Sequence, residues 1–130
     1  MSMFEDVRHW HKVFSIPSAE QPKTLVNDRR NLRILLHDEE LFELHESMVT
    51  DDLPGIADGI ADLIWVLCGT AAEHGIPLDH VWHEVRRANW DKLPADGVPI
   101  LRHDGKILKP EGWQPPNIAG VLAAFMEGEA

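Results

Sequence analysis

Asp62 is the only charged residue in a thirteen-residue run, Ile60–Ala72 (IADLIWVLCGTAA), that otherwise reads as a buried helix. A carboxylate placed there costs several kcal/mol unless it is paired, hydrogen-bonded or bound to a cation. The upstream segment Leu32–Val49 repeats the anomaly. At about 100° per residue, Glu39, Glu43 and Glu46 fall within roughly 60° of one another, and Leu32, Leu35, Leu36 and Phe42 share their face. A helix that needed only a core would put its acids on the opposite side. Two apolar faces that each carry carboxylates predict a buried cation site between helices.

The 130 residues predict one domain, residues 1–130, long enough to bury a core. Twelve Lys+Arg against 22 Asp+Glu give a formal charge of −10. That charge argues against nucleic acid or an anionic membrane as partner, but not against a small anionic substrate neutralised by metal. The single cysteine, Cys68, allows no intramolecular disulfide and no thiolate cluster, and fits a reducing cytoplasm. Met1–Glu5 is acidic and unlike a signal peptide, and the longest apolar run is interrupted by Asp62 and too short for a bilayer. The expectation is a soluble, cytoplasmic protein.

The punctuation predicts an all-α fold, an antiparallel four-helix bundle with core helices over about residues 4–92 and an irregular Pro/Gly-rich tail over 93–130. The first helix runs Phe4–Phe14. The second runs roughly Thr24–Val49, with Thr24 or Asn27 at its cap. Asp51-Asp52-Leu53-Pro54 starts the third, which Gly75 ends after His74. A fourth opens at Ile76-Pro77-Leu78-Asp79 and continues to about Asp91. In the tail, Ile100–Arg102 and Lys106–Lys109 flank an Asp104-Gly105 hairpin turn, and Ile118–Met126 forms a last short helix.

The carboxylate set is Glu39, Glu40, Glu43, Glu46, Asp58 and Asp62. Asp58 and Asp62, at i and i+4, share a helix face. Hard oxygen ligands on facing helices suit Mg²⁺, with Mn²⁺ as the alternative; the competing reading is a solvated acidic face with one Asp bonded to a core Arg or Trp. The eight histidines lack zinc-site spacing, and no nucleophile motif or glycine-rich phosphate loop is present. Asn89, Lys92, Lys106 and Lys109 suit phosphate oxygens or serve as plain surface charges. Trp65, one turn after Asp62, either stacks a base or fills the core.

These motifs resemble the all-α nucleoside triphosphate pyrophosphohydrolases, the superfamily of MazG, dimeric dUTPases and phosphoribosyl-ATP pyrophosphohydrolase. Glu39-Glu40-Leu41-Phe42-Glu43 matches the family's E-E-x-x-E helix. Ala61-Asp62-Leu63-Ile64-Trp65 looks like the end of its E-x-x-D helix, although position 59 is glycine where the family usually has Glu. Asn89-x-x-Lys92, Asp104-Gly105-Lys106, Leu108-Lys109-Pro110 and Pro115-Pro116 are similar to a bacterial and phage subgroup of MazG-like proteins, so that the likeness spans roughly residues 27–117. It implies Mg²⁺-dependent cleavage of a nucleoside triphosphate between the α- and β-phosphates. Glu39, Glu43, Asp62 and Asp58 are then metal ligands, Glu40 is a ligand or the base for the attacking water, and Asn89, Lys92, Lys109 and Trp65 bind substrate. A non-catalytic dimerisation or regulatory module, or an enzyme restricted to phosphoribosyl-ATP or dUTP, is the alternative. Leu41 and Leu44 offer the second helix another apolar face, which predicts a homodimer or homotetramer.

Overall fold

The computed structural model describes residues 1–126, and residues 127–130 of the expected tail lie outside them. The described residues are all-helical: α1 (Met3–Val13), α2 (Asn27–Val49), α3 (Leu53–His74), α4 (Leu78–Trp90) and the short α5 (Ile118–Ala123). They form two compact units, Met1–Leu78 and Asp79 onward.

In the first unit α3 is the axis against which α1 and α2 pack. Its start is fixed by Asp52, whose side chain accepts from the Gly55 N–H, with Pro54 in the first turn; its end is Gly75 in the left-handed conformation at φ 66°. A Cβ on Gly75 would sit 2.1 Å from the Gln21 carbonyl oxygen, so both conformation and space demand glycine. α1 opens with a reciprocal Ser2–Glu5 capping box. α2 has no side-chain cap: Val26 takes the cap position, and neither Thr24 nor Asn27 does so.

The buried core is small: Phe4 and Val7 of α1 against Cys68, Ala71 and Ala72 of α3, with Ile64, Ile76 and Leu78 around them. Small residues on α3 let its neighbours approach closely. The segment between α1 and α2 is latched to the end of α3: Ala19 N–H donates to the Ala72 carbonyl (2.9 Å), Lys23 N–H to the His74 carbonyl (2.8 Å), and His74 Nδ1 lies 2.8 Å from the Lys23 carbonyl oxygen.

The packed face of α2 is not the leucine-rich one that periodicity selects. Arg33 is buried and Leu36, His37, Glu40 and Leu44 are half-buried, whereas Leu32, Leu35 and Phe42 stand exposed. The reason is electrostatic: α2 turns toward α3 the side chains that pair with α3's polar groups, Arg33 and His37, leaving Leu32, Leu35 and Phe42 open. Two exposed apolar stripes result, each repeating every seven residues: Ile34, Leu41 and Met48 on α2, and Leu53, Ile60 and Leu67 on α3. By length and composition alone α3 is long and apolar enough to cross a membrane, a test that the core helix of a soluble protein also passes.

The second unit holds α4, the turn-rich tail and α5. The expected hairpin is present as a single antiparallel bridge, Leu101 with Ile107, and the described residues contain no longer strand. Glu84 Oε1 accepts from the Arg87 guanidinium and from the Asn117 N–H, which fastens the tail to α4. Asn117 caps α5 through Gly120.

Candidate metal centre

α2 and α3 bring Glu40, Glu43 and Asp62 together, each offering an oxygen within 4.8 Å of the others. Glu40 and Asp62 are half-buried and Glu43 exposed, which gives an open-sided cluster. Glu40 Oε2 is buried and has no hydrogen-bond partner among the described residues. Burial, then the neighbouring Glu43 and Asp62 charges, hold the Glu40 carboxyl above the ordinary glutamate range, and Glu39 adds to this from outside the trio. The Asp62 carboxyl is raised by burial and then by Asp58 beside it.

A desolvated oxygen without a donor, amid carboxylates that repel one another, is what a divalent cation relieves. Glu40, Glu43 and Asp62 therefore fit a hard metal ion. Asp58 is exposed and reaches the group by way of Asp62; Glu39 is also exposed. The glycine at position 59 has a steric cause. Gly59 is buried against α2, and a Cβ there would lie 3.1 Å from Leu44 Cα, so a side chain at this crossing would have to push the α2 backbone aside by a few tenths of an ångström.

A second polar cluster, not anticipated from the sequence, lies further along the same helix pair. The Glu73 side chain is fully buried and receives two bonds from Arg29 (2.8 and 3.0 Å), with Arg33 Nη1 at 3.3 Å. Arg33 also donates to Thr70 Oγ1 (3.0 Å) and to the Val66 carbonyl (2.6 Å), while His37 Nε2 contacts the same Thr70 hydroxyl. The buried His11 sets Nδ1 3.1 Å from the Pro17 carbonyl oxygen; burial holds its pKa below the ordinary histidine value, so the neutral ring donates that proton to Pro17. Thus the core arginine exists, but it serves Glu73 and not Asp62. The available signal was Glu73, an acid one position beyond the apolar run.

Trp65 is partly exposed and meets Trp10 edge-on, ring centroids 5.4 Å apart. In the second unit Lys92 Nζ lies 3.0 Å from Asn89 Oδ1. Lys92 and Lys109 approach the Trp113 ring, at 5.6 and 4.7 Å from its centroid, and Trp113 Nε1 donates to the Ala88 carbonyl. Lys109 and Lys92, the latter paired with Asn89, therefore meet over an indole not anticipated from the sequence.

A family model described as phosphoribosyl-ATP pyrophosphohydrolase matches residues 7–89. The chain belongs to this family. The phosphoribosyl-ATP pyrophosphohydrolase family is part of the MazG-like all-α superfamily, and its members are divalent-metal-dependent hydrolases acting on acid anhydrides. The chain is accordingly a nucleotide pyrophosphohydrolase by family. No significant match is found among curated proteins.

Proposed function

We propose that the chain hydrolyses a nucleoside triphosphate between the α- and β-phosphates, releasing a monophosphate and pyrophosphate, with Mg²⁺ as its metal and Mn²⁺ as a substitute. The observation that carries this reading is the unpartnered, buried Glu40 Oε2 set between Glu43 and Asp62. Glu40, Glu43 and Asp62 hold the ion, Asp58 braces Asp62, and Glu39 deepens the local negative potential. The ion, when bound, neutralises phosphate charge and acidifies a water. Glu40, a ligand or the base by the family resemblance, would as base take a proton from the attacking water as the water oxygen bonds to the α-phosphorus and the bond to the pyrophosphate oxygen breaks. The family resemblance supports Asn89, Lys92 and Lys109 as side chains that bind phosphate oxygens.

Pyrophosphate release from a panel of nucleoside triphosphates plus phosphoribosyl-ATP, the substrate in the family's description, tests the proposal. Glu40→Gln and Asp62→Asn, both near-isosteric, lose most turnover while staying folded; Lys109→Ala mainly raises KM. Full activity in both acid variants would end the assignment.

The exposed apolar stripes of α2 and α3 support self-association as a homodimer or homotetramer, since a second copy packed on them would remove that surface from water. The net charge of −10 supports a small-molecule substrate without nucleic-acid or membrane partners, and the lone, buried Cys68 supports a reducing cytoplasm.

A further inference from the structure

Beside the acids lies a cavity of about 460 Å³ lined by Trp10, His11, Arg29, Arg33, Leu36 and Trp65, among others. Leu36 precedes Glu40 by one turn of α2, and Trp65 follows Asp62 by one turn of α3. These two helices therefore run from the acid cluster into the cavity wall. Its volume is in the range that small-molecule pockets take.

One wall is aromatic, with Trp10 and Trp65 both partly open to solvent. The polar groups are unbalanced. Two guanidiniums, Arg29 and Arg33, face the single carboxylate of Glu73, and His11 beside them is held neutral by burial. Arg33 has its donors committed to Thr70, Val66 and Glu73. Arg29 gives only Nε and Nη2 to Glu73, and its side chain remains 32% exposed. The cluster thus presents one surplus positive charge and spare guanidinium donors to the cavity.

We propose that this cavity is the specificity pocket for the nucleobase, which packs on Trp10 and Trp65 while Arg29 donates to a carbonyl on the base edge farthest from the sugar. Keto bases such as uracil and hypoxanthine fit this donor; cytosine and adenine present an amino donor at that edge and meet it unfavourably. The inference rests on the pyrophosphohydrolase reading only for the nucleotide nature of the ligand.

Tryptophan fluorescence of the metal-free protein, titrated with uridine, inosine, cytidine and adenosine, tests it. Uridine and inosine quench and bind about tenfold more tightly than cytidine and adenosine. Trp10→Leu loses most of the quenching, and Arg29→Gln removes the keto preference. Equal affinity for all four nucleosides, an amino preference, or unchanged quenching in Trp10→Leu overturns the proposal. Should Arg29→Gln not fold, the unsubstituted protein and Trp10→Leu decide alone. Pyrophosphate release from the four matching triphosphates with Mg²⁺ separates the two readings. Turnover without nucleoside quenching overturns the pocket alone, and keto-selective quenching without turnover upholds the pocket while removing the proposed reaction.

Discussion

Glu40 concentrates the conflict on which the candidate site is built. Its buried oxygen lacks a donor, and its carboxyl and that of Asp62 are both raised, by burial first and by neighbouring acids next. For an acid with a raised folded-state pKa, the folded protein binds more protons than the unfolded chain between the ordinary and the raised value. Stability from these groups is therefore fully present below that window and declines as pH rises through it. Without metal, this cluster should lower the melting temperature on going upward from the ordinary carboxylate range; Mg²⁺ should offset the decline by binding the charged form. Glu40→Gln supplies an amide donor and removes one charge, so it should melt higher than the unsubstituted protein in EDTA and gain less from added Mg²⁺. His11 and His37, both held below the ordinary histidine value by burial, act in the opposite direction on acidification below about pH 6.5. The comparison of melts with and without Mg²⁺ at each pH isolates the acids from them. Identical pH profiles with and without saturating metal would argue against a preformed cation site.

Among the elements, α3 carries a steric constraint in its interior. Gly69 is buried where a Cβ would lie 2.7 Å from Arg33 Nη2 and 2.8 Å from His11 Nε2. Arg33 is the end of a long side chain, but its bonds to Val66 and Thr70 hold it in place. Gly69→Ala gains about 1 kcal/mol of helix propensity, yet must displace an arginine with several partners. A net loss of roughly 1–3 kcal/mol is expected, measurable by urea denaturation; a stabilised variant would show that Arg33 swings aside freely. The same contacts explain what the sequence revealed and what it did not. Asp52-Leu53-Pro54 and Gly75 bracketed α3 correctly because caps and left-handed stops are local chemistry. Asp62 in an apolar run pointed to the acid cluster because desolvated charge is legible in one dimension. The packed side of α2 was misread because counting leucines assumes that the core is apolar, whereas α2 meets α3 through Arg33, His37 and Glu40. Trp113 and Glu73 were not singled out because their roles depend on partners 25 and 44 residues away.

At the scale of the whole molecule, the first unit leaves large apolar side chains of both α2 and α3 open to solvent. Phe42 is 64% exposed, Leu41 55% and Ile60 47%. A second copy that covers the Ile34–Leu41–Met48 and Leu53–Ile60–Leu67 stripes would complete a bundle that one chain only half builds. Light scattering at micromolar concentration should give at least a dimer mass. Leu41→Glu combined with Ile60→Glu should shift it toward the monomer, because association over these stripes would then bury two unpaired carboxylates per chain. A monomer mass for the unsubstituted protein would refute this arrangement.

The latch between the α1–α2 segment and the end of α3 bears on how the native chain meets a protease. Lys23 is exposed, so trypsin has a cation to recognise. The Lys23 N–H, however, is bound to the His74 carbonyl, and the Lys23 carbonyl, the group that must be attacked, is engaged by the His74 ring. Accommodation in a protease cleft requires a run of backbone to peel away, which here means breaking both ties and the one at Ala19. Brief native digestion should leave the Lys23–Thr24 bond intact, and His74→Ala, which removes one of the three ties, should speed cutting there while the helices stay folded.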